Sequence, residues 1–317
     1  MSATMIRDML LGAFVADAAA LGLHWIYDPD RIADVIRNNG GRPAFVPINP
    51  AHYEGVPAYF AHGDRDTGML TQYGETLRLC LRTLIDADGF IDAATYRQAF
   101  AGHFGAGGRF SGYIDKPTRG ALQRIAAQED ETGIDDDQLP ALSTLPAIVG
   151  AYAGAEDFDD MRRAAMRVTN INPVAEAYSA AFADLLSQVI GGGDLQQALD
   201  STAARADGSI RDALEHALYT DEPDSVVFAG DVGRACHLPM AGPVIFHILK
   251  RSDSYRTAIE TNIRAGGDSA GRAIMLGAVL GCAHGAGTDK GIPLQWLLAV
   301  SDIARIEAEC RALARQP

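Results

Sequence analysis

Gly277, Gly281 and Gly285 recur at intervals of four within and just beyond the apolar run Ala270–His284. That interval places all three on one face of a helix. Glycine in a helix interior costs about 1 kcal/mol relative to alanine. A stripe of three therefore signals that another backbone comes close. The run is entered through Ala265-Gly266-Gly267, which delivers Asp268 to its mouth. The segment predicts a close-packed helix with a rigidly held carboxylate at its start.

Apolar residues recur three and four positions apart through most of the chain. They predict helices over Ile6–Leu23, Gly68–Asp86, Ala93–Phe104, Arg119–Ala127, Ser143–Gly154, Asp160–Thr169 and Val174–Ile190. They predict further helices over Leu195–Ala204, Arg211–Tyr219, Leu238–Lys250, Tyr255–Ala265, Ala270–His284 and Leu294–Ala314. Val226–Phe228 is the one candidate strand. Arg37–Asp66, rich in Gly, Pro, Asn and aromatic residues, is the least helical stretch and reads as a long ordered loop or a surface excursion. The acidic run Glu129–Asp137 reads as a solvated turn or a ligand loop, without the spacing of a calcium-binding EF-hand. The expected class is all-α, in a single domain.

At 317 residues, 48% hydrophobic and 21% charged, the chain can bury a large core. Its net charge of −14 argues against a nucleic-acid backbone or an anionic membrane surface as partner. Cys80, Cys236, Cys282 and Cys310 are far apart and form no C-x-x-C pair, so free thiols in a reducing compartment are expected. Asp17 interrupts the apolar N-terminal run, which reads as a core helix of a cytoplasmic protein rather than a signal segment. No uninterrupted apolar stretch reaches the ~18 residues of a membrane span.

Several kinds of chemistry are excluded by their motifs. There is no H-E-x-x-H, G-x-S-x-G or G-x-x-x-x-G-K-[ST]. The eight histidines are scattered, with no two at ligand spacing on one helix. Three acids at special places remain. Asp17 lies inside an apolar helix, where a charge must be paired, hydrogen-bonded or metal-bound; a buried cap to a neighbouring loop is the plain alternative. Glu75 sits near a helix start, where the macrodipole alone favours it. Asp268 can equally be a cap of the helix it precedes. Three such carboxylates in an all-α protein suit a hard, oxygen-loving cation such as Mg²⁺.

Four motifs in order carry a resemblance. Leu11-Gly12-Ala13-Phe14-Val15-Ala16-Asp17-Ala18-Ala19-Ala20-Leu21-Gly22 is similar to an L-x-G-x-x-x-G-D-A-x-G opening, with Ala16 for Gly. Thr169-Asn170-Ile171-Asn172-Pro173 resembles T-H-x-x-P, with Asn170 for His. Ala265–Gly285 resembles a closing G-G-D-[TS]-D-T…G-A…G, and Ile292-Pro293-Leu294-Gln295-Trp296 resembles I-P-x-x-W. These are features of the ADP-ribosylglycohydrolase family, of the dinitrogenase-reductase-activating glycohydrolase type. Leu23-His24-Trp25-Ile26-Tyr27-Asp28 resembles its J1-crystallin-like branch in particular.

The resemblance implies an orthogonal helical bundle over residues 1–317. It also implies hydrolysis of the glycosidic bond of an ADP-ribosylated protein or small ADP-ribosyl compound, with two Mg²⁺ ions near the scissile bond. The ligand motifs depart from the pattern. The family's T-D-D-T reads onto Tyr73-Gly74-Glu75-Thr76, and its D-[TS]-D-T onto Asp268-Ser269-Ala270-Gly271. Tyr73, Gly74, Ala270 and Gly271 thus stand where ligands are expected, leaving one Mg²⁺ or none. Glu75, Asp268 and Asp17 are the candidate catalytic groups, and Glu75, Asp268 and Asp28 the candidate metal ligands. A non-catalytic member that kept the fold, crystallin-like or ADP-ribose-binding, and a metal-independent hydrolase of another glycoside or amide are the alternatives.

Overall fold

The computed structural model describes residues 2–316, and α1 (Ala3–Ala20) and α14 (Ser269–His284) form the spine of the fold. Between them in sequence lie α2 (Pro29–Asn38), α3 (Gln72–Asp86), α4 (Ala93–Phe104), α5 (Lys116–Ala126), α6 (Leu145–Tyr152) and α7 (Phe158–Met166). They are followed by α8 (Pro173–Ile190), α9 (Leu195–Arg205), α10 (Gly208–Tyr219), α11 (Ser225–Val232), α12 (Leu238–Arg251) and α13 (Tyr255–Ala265). After α14 the chain ends with α15 (Leu294–Ala299) and α16 (Ile303–Ala314). No strand occurs among the described residues, only isolated bridges. No described helix is long and apolar enough to cross a membrane. All four cysteines are free thiols.

The glycine stripe explains the spine. A Cβ at Gly277 would collide with the Gly12 carbonyl oxygen and lie 2.6 Å from the Ala16 Cβ. A Cβ at Gly281 would collide with the Asp8 carbonyl. Gly12 faces them from α1, and its own carbonyl accepts the Tyr255 hydroxyl at 2.6 Å. The helices meet backbone to backbone, in the most extensive helix pairing of the fold. Gly285 has a different role: it ends α14 in the left-handed region, at φ 72°.

Four elements differ from expectation. Val226–Phe228 lies inside α11, which starts where the Asp224 side chain accepts the Val226 amide. Its β-branched pair is read by an amphipathic helix that buries Phe228. The helix α2 was not expected, although Asp28 caps it and Pro29 occupies its first position. The helix expected from Gly68 begins at Gln72, because Gly68 takes φ 89° and Thr71 forms the cap. The expected single helix Leu294–Ala314 is broken at residues 300–302. There the Ser301 amide bonds the Gly68 carbonyl at 2.8 Å and Asp302 turns left-handed to reach Arg78.

Candidate functional site

Asp17 and Asp268 are brought to one end of the spine, from the last turns of α1 and the first residue before α14. Both are fully buried. Gly266 and Gly267 turn the chain with φ 73° and 62°, a conformation that favours glycine. Arg272, also fully buried, locks that turn: its guanidinium donates to Asn262 Oδ1 at 2.8 Å and to the Gly266 carbonyl at 2.5 Å.

Asp268 is saturated with donors. Oδ1 meets His24 Nε2 at 2.9 Å and the Gly271 amide at 2.9 Å, and Oδ2 accepts the Tyr73 hydroxyl at 2.6 Å. Burial works against its charge. The His24 ring, the Tyr73 hydroxyl and the Gly271 amide outweigh burial and hold the carboxyl below the usual range. An ionised carboxylate only accepts, so His24 donates from Nε2. Its Nδ1 lies 2.7 Å from His62 Nε2. Where His24 is neutral, His62 Nε2 carries the proton of that bond and His62 Nδ1 is a lone pair; where His24 is the imidazolium that lowers Asp268, His24 Nδ1 donates instead and His62 Nε2 accepts. His62 Nδ1 has no hydrogen-bond partner and is not sealed off as a fully buried orphan. Burial, with His24 and Arg65 nearby, pushes the imidazolium form of His62 well down.

His62 and His24 line a cavity of about 10 Å³, room for roughly one water. Asp115 and Gln72 lie on the same wall. Asp115 is raised by burial against the bonds it accepts from Thr118 and Gln72. Trp25, Tyr59 and Tyr113 form an aromatic rim: Trp25 meets Tyr113 edge-on at 4.9 Å and Tyr59 at 5.6 Å. Trp25 holds φ 65°, pinned by its amide to Gly267 and by its carbonyl from the Tyr59 amide. A bulky side chain there is strained by about 1–3 kcal/mol, as residues at functional sites often are.

The other candidate acids have their own partners. Asp17 accepts the Thr71 amide at 2.8 Å and the Thr71 hydroxyl at 2.5 Å. Burial pushes its carboxyl up to about 7 despite these bonds. Glu75 bonds His103 at 3.1 Å and lies 4.0 Å from Arg65, which stacks 4.2 Å over Phe110. Burial opposes the Glu75 charge, but His103 and Arg65 prevail and its carboxyl is lowered. No hydrogen bond joins Glu75 to Asp268 among the described residues. Asp28 stands apart as the cap of α2, accepting the Arg31 amide at 2.8 Å. It does not join the Asp268 cluster, because its side chain is turned to the helix it starts.

The start of α3 supplies the rest of the network. The side chains that α3 sends into the network are Gln72 and Tyr73, and Glu75 points to His103. Thr71 caps the helix, and Gly74 must lack a Cβ because one would collide with Asp17 Oδ2. Mg²⁺ does not fit this donor set. It needs near-octahedral oxygen ligation, whereas the oxygens of Asp268 and Asp17 are occupied by protein donors. Among the described residues no three His, Cys, Asp or Glu side chains converge as a metal site requires. His24 and His62 escaped the sequence reading, which sought histidine pairs on one helix. The only signal was His24 itself, a few residues past the helix that carries Asp17.

The chain is similar to known proteins over nearly its whole length. Residues 3–317 match the model of a family described as ADP-ribosylglycohydrolase. Crystallin J1A of Tripedalia cystophora is 26% identical over 308 residues, covering 93% of this chain and 91% of that protein. Crystallin J1B of the same animal is 25% identical, covering 94% and 93%. A solved structure described as an ADP-ribosylglycohydrolase-related protein complex superimposes with a TM-score of 0.72 at 19% identity, covering 98% of both chains.

Proposed function

Because the chain belongs to the ADP-ribosylglycohydrolase family, we propose that its Asp268 site hydrolyses an ADP-ribosyl glycosidic bond by acid–base chemistry without a divalent cation. The observation that carries this reading is the buried series Asp268–His24–His62. A water in the cavity gives a proton to His62 Nδ1. The Nε2 proton of His62 passes to His24 Nδ1, and the charge comes to rest on His24 beside the Asp268 carboxylate. His62 thereby works as a base while staying neutral, as its buried position demands. The water oxygen bonds to the anomeric carbon as the bond to the leaving group breaks. Asp115, raised by burial on the same wall, protonates that leaving group. The strap that carries Tyr59 and His62 has to move for a substrate to enter a cavity of this size.

The test is release of ADP-ribose from ADP-ribosylated arginine and serine peptides in EDTA. Release is expected to persist without metal and to fall about a hundredfold or more in Asp268→Asn and His62→Gln. No release from any substrate, with or without Mg²⁺, overturns the reading. One observation favours a second reading in that event: the cavity of about 10 Å³ has room for only about one water, as suits a stable, non-catalytic protein like its crystallin-named relatives.

A further inference from the structure

A larger cavity, of about 390 Å³, opens between the loop at residues 39–47, α13 and α15. It shares no lining residue with the Asp268 cavity. We propose that it is a separate binding site for a small planar ring bearing a carboxylate or phosphate.

The wall of the cavity is aromatic and rigid. Trp296 is almost fully buried and meets Phe45 edge-on, with ring centres 5.9 Å apart. Phe45 holds φ 56°, a left-handed conformation costly for a bulky residue, and its amide is tied to the Ala19 carbonyl at 2.9 Å. Such strain beside a cavity marks a place where the fold gives up stability to hold a surface in position. Two guanidinium groups line the cavity, Arg42 and Arg256, the latter stacked 5.1 Å over the Trp296 ring. Glu260, itself on the cavity wall, offsets Arg256 in part, at 3.8 Å, whereas Arg42 has no carboxylate partner among the described residues. In a chain of net charge −14 this is a local reversal of sign. An acid group is drawn to the arginines, a ring packs against Trp296 and Phe45, and Gln295 adds an amide for a polar substituent. The volume falls within the range of small-molecule sites.

Calorimetric titration of the full chain with benzoate, AMP and inorganic phosphate tests the assignment. Benzoate or AMP is expected to bind saturably, and phosphate, which lacks the ring, about tenfold more weakly or not at all. AMP binding alone narrows the ligand to a nucleotide, and benzoate alone to an aromatic acid. Arg42→Ala and Arg256→Ala should each weaken binding about tenfold. Asp268→Asn should leave it unchanged, which separates this site from the glycohydrolase reading. Arg42 is exposed, so its loss spares the fold, and circular dichroism of each variant checks this. Absence of saturable binding by both ring probes overturns the proposal. So does binding that survives the Arg42→Ala, Arg256→Ala double variant.

Discussion

Replacing Gly277 by alanine puts the helix–helix contact to a quantitative test. In a helix with open surroundings the change adds about 1 kcal/mol of stability through propensity alone. At Gly277 the new methyl meets the Gly12 carbonyl and sits 2.6 Å from the Ala16 Cβ. Ordinary carbon contacts lie at about 3.5–4.0 Å, so α1 and α14 must separate by about 1 Å. Overpacking costs about 1–3 kcal/mol, and the upper end applies because the obstacle is backbone rather than a flexible side chain. After the propensity gain, the net loss is about 2 kcal/mol. For 317 residues the unfolding entropy converts this to a Tm lower by about 3 °C. The control is Gly102→Ala in α4, where nothing lies within 4 Å of the added methyl. That variant should gain about 1 kcal/mol. Urea denaturation followed by circular dichroism reads both. A Gly277→Ala protein as stable as the unchanged chain would refute the close-approach argument.

Two further outcomes follow from the buried acids. The Asp17 carboxyl is raised from 3.8 to about 7 by burial, so the folded state holds its proton more tightly than the unfolded state. Its contribution to stability is fully present below about pH 4 and is lost as pH rises through 7. Relative to Asp17→Asn, the unchanged chain should lose about 4 kcal/mol across that window, read by denaturation at each pH, and a difference independent of pH would count against the shift. Because every Asp268 oxygen has a protein donor, Mg²⁺ and EDTA should leave the Tm unchanged; a clear rise with Mg²⁺ would mean that a cation binds the folded state.

The fold was legible because burial imposes a period that the sequence carries openly. What escaped was set by contacts distant in sequence. The break between α15 and α16 contains no proline or glycine; it exists because Ser301 reaches Gly68. The Val226–Phe228 strand reading failed because three residues cannot distinguish a strand from one turn of a buried helix. By contrast α2 went unread although its start signal, Asp28-Pro29, is local and needed no distant contact. The glycine pair before Asp268 signalled a rigidly held carboxylate, and the structure shows it buried and bonded. Its partners were not signalled, because Tyr73 and His24 lie 195 and 244 residues away. On α3 only geometry shows which side chains point inward: Gln72 and Tyr73 do, and Glu75 turns to His103.

The positions around Asp268 and Asp17 constrain one another. A Cβ at Gly271 would lie 2.7 Å from Asp268 Oδ1 and 3.0 Å from the Tyr73 ring. A side chain at that position would therefore press on both the Asp268 carboxylate and the Tyr73 ring that reaches it. Gly74 stands in the same relation to Asp17, whose carboxylate fills the space a Cβ would need. A buried carboxylate left without donors or counter-charge would cost several kcal/mol. Here Asp268 has a hydroxyl and an imidazole, Asp17 a threonine, and Glu75 an imidazole and a neighbouring guanidinium. Each of the three acids is thus held by protein donors, with Asp268 bonded to three of them.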